Sequence, residues 1–103
     1  MTIDALRQEI DRVDSALLHI FNVRASLALQ IGEVKKTMAL PVYDPAREKR
    51  IFVRMKELNT GPLDDQAIVR LFERVIDESR RLERIMTHGD GKEKEEGTEC
   101  SSS

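Results

Sequence analysis

Apolar residues recur at alternating steps of three and four along the first part of the chain. The row is formed by Ile3, Leu6, Ile10, Val13, Leu17, Ile20, Leu27, Ile31, Val34 and Met38, with Arg24 at one of its positions. This heptad-like spacing predicts a single amphipathic helix over residues 4–38. Pro41 follows and marks its end.

Two shorter helices are predicted after this break. Asp44 is a suitable N-cap and Pro45 suits the first helical position, so the second helix begins here and runs to about Leu58. NTGP at 59–62 interrupts the pattern, and a third helix opens near Asp64 or Asp65. Its apolar row contains Ile68, Phe72, Val75, Leu82 and Met86, with Ser79 among them, and Gly89 and Gly91 are expected to end it.

The composition changes at residue 88, where the stretch HGDGKEKEEGTECSSS begins. Charged and small residues dominate this stretch, and it has no apolar side chain to anchor it, which favours disorder. The 103 residues are therefore interpreted as one helical domain at 1–87 followed by a disordered polar tail at 88–103.

The first predicted helix is long for a chain of this size. A helix of about 35 residues extends roughly 50 Å, whereas a compact chain of this length has a radius of gyration of about 13 Å. The two shorter helices can cover its apolar row only in part, and a second copy related by a two-fold axis is the simplest remaining cover. We therefore predict an all-α fold, a three-helix chain with a long first helix, in an intertwined homodimer.

Composition and charge narrow the functional classes. Charged residues make up 35% and aromatic residues 4% of the chain, which favours helices over a sheet. The net charge of −2 gives no electrostatic basis for binding nucleic acid or an anionic membrane. One cysteine, Cys100, supports neither a disulfide framework nor a metal cluster. The chain has no signal-peptide pattern and no apolar run of membrane-spanning length, so we expect a soluble cytoplasmic protein.

Several polar residues occupy positions where the pattern calls for apolar ones. They are Arg24 and Lys35 on the first helix, Asp44 and Glu48 on the second, and Ser79 and Glu83 on the third. Together they predict a small charged pocket with two cations and two or three acids, which suits a small polyanion that also carries a hydroxyl. No Ser or Cys stands with a His in an arrangement for covalent catalysis, so the pocket is expected to orient its ligand and stabilise charge.

These residues also have purely structural explanations. Asp44 can serve only as an N-cap, Glu48 can be a first-turn acid favoured by the helix dipole, and Ser79 can bond to the carbonyl one turn earlier. Lys35 can extend from the edge of the apolar row. A buried Arg24 needs an anion, and a structural ion pair with Asp44 or Glu48 would supply it.

Four stretches carry a resemblance to a known family: LRQEIDRVD at 6–14, NVRASLALQIGEVKK at 22–36, PVYDPAREKRI at 41–51 and LFERVIDESRRLE at 71–83. As an ordered set they resemble the AroQ-class chorismate mutases, an all-helical family of aromatic amino acid biosynthesis in the shikimate pathway. The resemblance implies intertwined dimers and the Claisen rearrangement of chorismate to prephenate, a unimolecular reaction that needs no cofactor. Such an enzyme supplies a compact reactive conformer and fixed charges where the breaking C–O bond gains electron density.

The resemblance also implies roles for individual residues. Arg24 would pair with one carboxylate of chorismate, and Lys35 would reach the ether oxygen and a carboxylate. Asp44 and Glu48 would hold the ring hydroxyl, and Ser79 would help to hold a carboxylate.

Arg7 matches a family arginine that comes from the other subunit. Arg7 and Arg24 are about 25 Å apart along one helix, too far to touch one small ligand. An antiparallel partner helix that crosses near residues 17–18 would bring its Arg7 near residue 28, between Arg24 and Lys35.

Glu83 stands where bacterial members of the family commonly have Gln, which donates a hydrogen bond to the ether oxygen. An ionised Glu only accepts hydrogen bonds, so we expect Glu83 to work in its protonated form. Burial would raise its pKa, whereas nearby cations would lower it. The structural alternative is an exposed Glu on the third helix.

Two other functions fit the same pattern. An isochorismate-pyruvate lyase shares this fold and a similar pocket, although the paired acids Asp44 and Glu48 suit the ring hydroxyl of chorismate. A non-catalytic helical dimerisation or regulatory module would instead use Arg24 and the two acids as an internal salt-bridge cluster.

Overall fold

The computed structural model describes residues 1–88, which form three helices and no strand. Helix α1 spans Ile3–Thr37, α2 spans Pro45–Leu58 and α3 spans Asp65–His88. The prediction of an all-α chain of three helices with a long first helix is confirmed. Helix α3 reaches residue 88, one residue past the predicted domain boundary. Residues 89–103 of the predicted tail lie outside the described residues, and these include Gly89, Gly91 and Cys100.

Side-chain caps fix where each helix begins. The Thr2 hydroxyl accepts a hydrogen bond from the backbone N–H of Ala5 at 3.0 Å, at the start of α1. A carboxylate oxygen of Asp44 accepts from the N–H of Arg47 at 3.0 Å, and Asp64 caps α3 in the same way. These caps satisfy N–H groups that have no partner inside the helix, so they define the N-terminal ends of the three helices.

Helix α3 packs against both α1 and α2 and connects them. Within residues 1–86, Ile76 is the buried apolar side chain, at 7% exposure. Ser79 and Glu83 are the buried polar residues. The inward face of α3 therefore runs through Ile76, which the predicted apolar row omitted. Met86, at the end of that row, is exposed.

The apolar row of α1 is exposed along its whole length in the single chain. Ile20 and Ile31, for example, are 58% and 54% exposed. The described residues extend over 53 × 33 × 20 Å with a radius of gyration of 16.7 Å, larger than a compact chain of this length would have. Contiguous apolar surface of this kind marks an interaction site. None of the three helices combines the length and apolar character that crossing a membrane requires.

Candidate active site

A cavity of about 440 Å³ lies between the three helices. Its charged and polar lining consists of Arg24 and Lys35 from α1, Asp44, Arg47 and Glu48 at the start of α2, and Ser79, Arg80 and Glu83 from α3. The structure thus brings together all six polar residues that occupy apolar positions of the sequence pattern. Arg7, the remaining predicted residue, does not line the cavity of its own chain and is exposed near the start of α1.

Arg24 reaches α3 and donates a hydrogen bond from Nη1 to the Ser79 hydroxyl oxygen at 3.0 Å. It forms no ion pair with Asp44 or Glu48 within residues 1–88. Burial and the neighbouring Arg47 lower the pKa of Arg24, and Glu83 acts in the opposite direction. An arginine so placed keeps its proton at neutral pH but lies in a field that favours an incoming anion.

Lys35 lies eleven residues after Arg24, three helical turns along α1, and lines the same cavity. Its Nζ donates a hydrogen bond to the backbone carbonyl of Val42 at 3.0 Å. This bond ties the end of α1 to the segment that leads into α2. The ammonium is therefore held at the cavity by a neutral acceptor.

The two acids at the start of α2 are each engaged by the protein. Asp44 caps the helix, as predicted, and also lines the cavity. Glu48 accepts a hydrogen bond at Oε2 from Nη1 of Arg80, at 2.8 Å. Since each carboxylate has two oxygens, each acid retains acceptor capacity for a hydroxyl in the cavity.

Glu83 is 9% exposed and faces the cavity from α3. Burial raises the pKa of Glu83, while Lys35, Arg24 and Arg80 lower it to a smaller extent. The net direction is upward, since desolvation penalises the carboxylate more than the three cations stabilise it. This direction agrees with a Glu83 that can donate a hydrogen bond.

Arg47 and Arg80 line the cavity although the sequence pattern did not single them out. Each directly adjoins a predicted residue, Glu48 or Ser79, and neighbouring helix positions point about 100° apart. Periodicity therefore assigns them to another face, but their long side chains reach around the helix. The cavity holds four cations and three acids, where the sequence predicted two cations, so it is more cationic than expected.

Comparison with known proteins agrees with this geometry. Residues 6–84 match the family described as chorismate mutase type II. A bifunctional chorismate mutase/prephenate dehydratase of Neisseria gonorrhoeae is 43% identical over 90 residues, which cover 84% of this chain and 24% of that protein. The chain thus spans about a quarter of the length of the bifunctional relatives that it matches.

Two solved structures have a similar fold. A chorismate mutase from Thermus thermophilus superposes with a TM-score of 0.79 at 36% identity, covering 80% of this chain and 93% of that one. A chorismate mutase from Helicobacter pylori, solved in complex with prephenate, gives a TM-score of 0.79 at 26% identity and covers 86% of this chain and 97% of that one.

Proposed function

Because the chain belongs to the chorismate mutase type II family, we propose that it is an isomerase that converts chorismate to prephenate. The observation that carries this proposal is the cavity between the three helices, where Arg24, Lys35 and Glu83 converge from α1 and α3. The net positive charge of the cavity suits a substrate with two carboxylates, and the paired acids Asp44 and Glu48 suit a ring hydroxyl.

Substrate binding follows from the charges around the cavity. Arg24 offers its guanidinium to one carboxylate, and the Ser79 hydroxyl that now accepts from Arg24 helps to hold the same group. Lys35 exchanges the neutral Val42 carbonyl for a substrate oxygen, and a carboxylate oxygen there pairs a charged acceptor with the charged donor. Asp44 and Glu48 accept from the ring hydroxyl.

The reaction is an intramolecular rearrangement in which the ether C–O bond breaks while a new C–C bond forms. No atom enters or leaves, so the protein contributes conformation and electrostatics. Fixed carboxylate contacts hold chorismate in the compact conformer in which the two reacting carbons are close. Lys35 and protonated Glu83 donate hydrogen bonds to the ether oxygen, where electron density grows in the transition state.

We further propose that the active unit is a homodimer in which the long helices run antiparallel. Burial of the exposed apolar row of α1 supplies the driving force. If the helices cross near residues 17–18, the partner subunit's Arg7 approaches residue 28, and Ala28 does line the cavity. The partner's Arg7 would then add a cation for the second carboxylate. We also propose that the protein acts in the cytoplasm.

The decisive experiment is to incubate the purified protein with chorismate and, separately, with isochorismate, and to identify the products. We expect prephenate from chorismate, followed as loss of chorismate absorbance, and no pyruvate from isochorismate. An Arg24→Ala variant should lose about ten- to hundredfold in kcat/KM, while Arg74→Ala, which alters an exposed ion pair on α3, should match the wild type. Pyruvate release from isochorismate would favour the lyase. No turnover of either compound would favour a non-catalytic dimerisation module.

A further inference from the structure

Arg80 is held from three sides beside the cavity. Its Nη1 donates to Oε2 of Glu48 at 2.8 Å, and its Nη2 donates to Oδ1 of Asp77 at 2.8 Å. The guanidinium carbon lies 4.9 Å from the centre of the Tyr43 ring, a cation–π distance. These contacts join α3 to α2 and to the segment before it, so the guanidinium has little freedom to move.

We propose that Arg80 is a positioning and specificity residue: it fixes the Glu48 carboxylate and cancels its charge, so that the site accepts a ring hydroxyl and disfavours a ring ammonium. This inference rests on the proposed mutase function. Arg80 would thus set the preference of the site between a hydroxyl and an ammonium group on the substrate ring.

The guanidinium of Arg80 is a rigid planar group. A planar fork has fixed N–H directions, so once Asp77 holds Nη2 and the Tyr43 ring covers one face, Nη1 points in a defined direction. Glu48 meets that donor with Oε2. Its carboxylate is thereby held in one orientation, and Oε1 is left as the acceptor for a ligand hydroxyl.

The net charge around Glu48 decides whether the site favours a hydroxyl or an ammonium group. An isolated carboxylate at a ligand site attracts a cation more strongly than a neutral hydroxyl. With the guanidinium of Arg80 in hydrogen-bond contact, Glu48 presents little net charge, and Lys35 and Arg47 add positive charge to the same cavity. A hydroxyl needs only an acceptor, which Glu48 still provides. An ammonium group at the same place would meet the Asp44 carboxylate, but in a cavity whose four cations outnumber its three acids.

The test compares Arg80→Gln with Arg74→Gln, a matched control whose side chain is 79% exposed and pairs with Glu78 away from the cavity. For each, kcat/KM is measured with chorismate and with an analogue that carries an amino group in place of the ring hydroxyl. We expect Arg80→Gln to lower kcat/KM for chorismate about tenfold or more, as loss of a charge-assisted bond does. The analogue should lose much less or gain, so the ratio shifts toward the amine. Arg74→Gln should change neither value.

A double-mutant cycle with Glu48→Gln separates an effect through Glu48 from direct contact with substrate. In the Glu48→Gln background, Arg80→Gln should have little further effect on chorismate turnover. Asp77→Asn, which loosens Arg80 from its exposed side, should shift the substrate ratio in the same direction by a smaller factor and keeps the proposal testable if Arg80→Gln folds poorly. Thermal unfolding of each variant identifies losses due to folding.

The outcomes distinguish this inference from the function on which it rests. A wild type that does not convert chorismate overturns both. A wild type that does convert it, with an Arg80→Gln variant that keeps the wild-type substrate ratio, overturns the role of Arg80 alone. So does a loss of equal size in the presence and absence of the Glu48 carboxylate.

Discussion

The proposed sharing of each active site between two chains predicts the activity of mixtures of impaired variants. Arg7 and Arg24 are seventeen residues apart on α1, about 25 Å at 1.5 Å per residue, whereas a sphere with the cavity volume of about 440 Å³ is about 9 Å across. One chain therefore cannot direct both side chains to one ligand. In the proposed dimer each cavity takes Arg24 from one chain and Arg7 from the other.

The Arg7→Ala and Arg24→Ala variants are prepared separately and then mixed. Each removes a charge-assisted bond to a carboxylate, so each alone should lose about ten- to hundredfold in kcat/KM. After unfolding and refolding of an equal mixture, about half of the dimers contain one chain of each kind, if pairing is random. Each of these has one cavity with both arginines and one with neither. About a quarter of all cavities are intact, so the mixture should regain about a quarter of wild-type activity.

The assay is loss of chorismate absorbance before and after joint refolding, with each variant refolded alone as a reference. The matched control is a mixture of Arg24→Ala and Lys35→Ala. Both of these side chains line the cavity of their own chain, so every mixed dimer lacks one of them in each cavity and no activity should return. If the first mixture stays at the average of its two components, Arg7 does not act across the dimer. The same conclusion follows if the control mixture recovers equally.

Four further predictions concern single cavities. Since burial raises the pKa of Glu83 and only the protonated form donates, wild-type kcat/KM should fall about tenfold per pH unit above that raised pKa. Glu83→Gln should flatten this limb, and coincident pH–rate profiles would contradict the assignment. Lys35→Ala should lower kcat by about 100- to 1000-fold with little change in the thermal midpoint, because it removes the proposed donor to the ether oxygen; an equal loss on truncating an exposed lysine would argue against this role. Arg24→Leu combined with Glu48→Leu should abolish turnover while the chain still folds; a double variant that still converts chorismate would contradict the proposed roles of both side chains. Asp44→Ala should reduce the free energy of unfolding by about 1 kcal/mol through loss of the N-cap, while Asp44→Asn should keep the cap and still lose activity; equal unfolding free energies for the two variants would refute the capping argument.

The helix limits were predictable from sequence because local residues determine them. Asp44 and Pro45 specify the start of α2 through a cap and a fixed backbone angle, and the structure has the helix begin there. The first helix was predicted at 4–38 and spans Ile3–Thr37. The candidate site was largely predictable for a related reason, since polar residues on an apolar row are rare enough to mark a cavity.

The partners of the charged side chains were not predictable in the same way. Arg24 was expected to need an acid such as Asp44 or Glu48, yet it donates to the Ser79 hydroxyl. Glu48 is paired with Arg80, whose position gives no periodic signal. Long cationic side chains can reach several faces of a helix, so the packing of α3 against its neighbours decides which acceptor each one meets.

The bond between Lys35 and the Val42 carbonyl bears on how a catalytic cycle would close. When a dianionic product leaves, the Lys35 ammonium loses its anionic partner. Without another acceptor it would remain desolvated and unpaired, which is costly in free energy. The carbonyl lies 3.0 Å from that nitrogen and can receive it. In the proposed cycle the Val42 carbonyl is a resting position for Lys35, and each turnover would exchange this backbone oxygen for oxygens of the substrate and product. Product dissociation should therefore be easier than the number of charges in the cavity suggests.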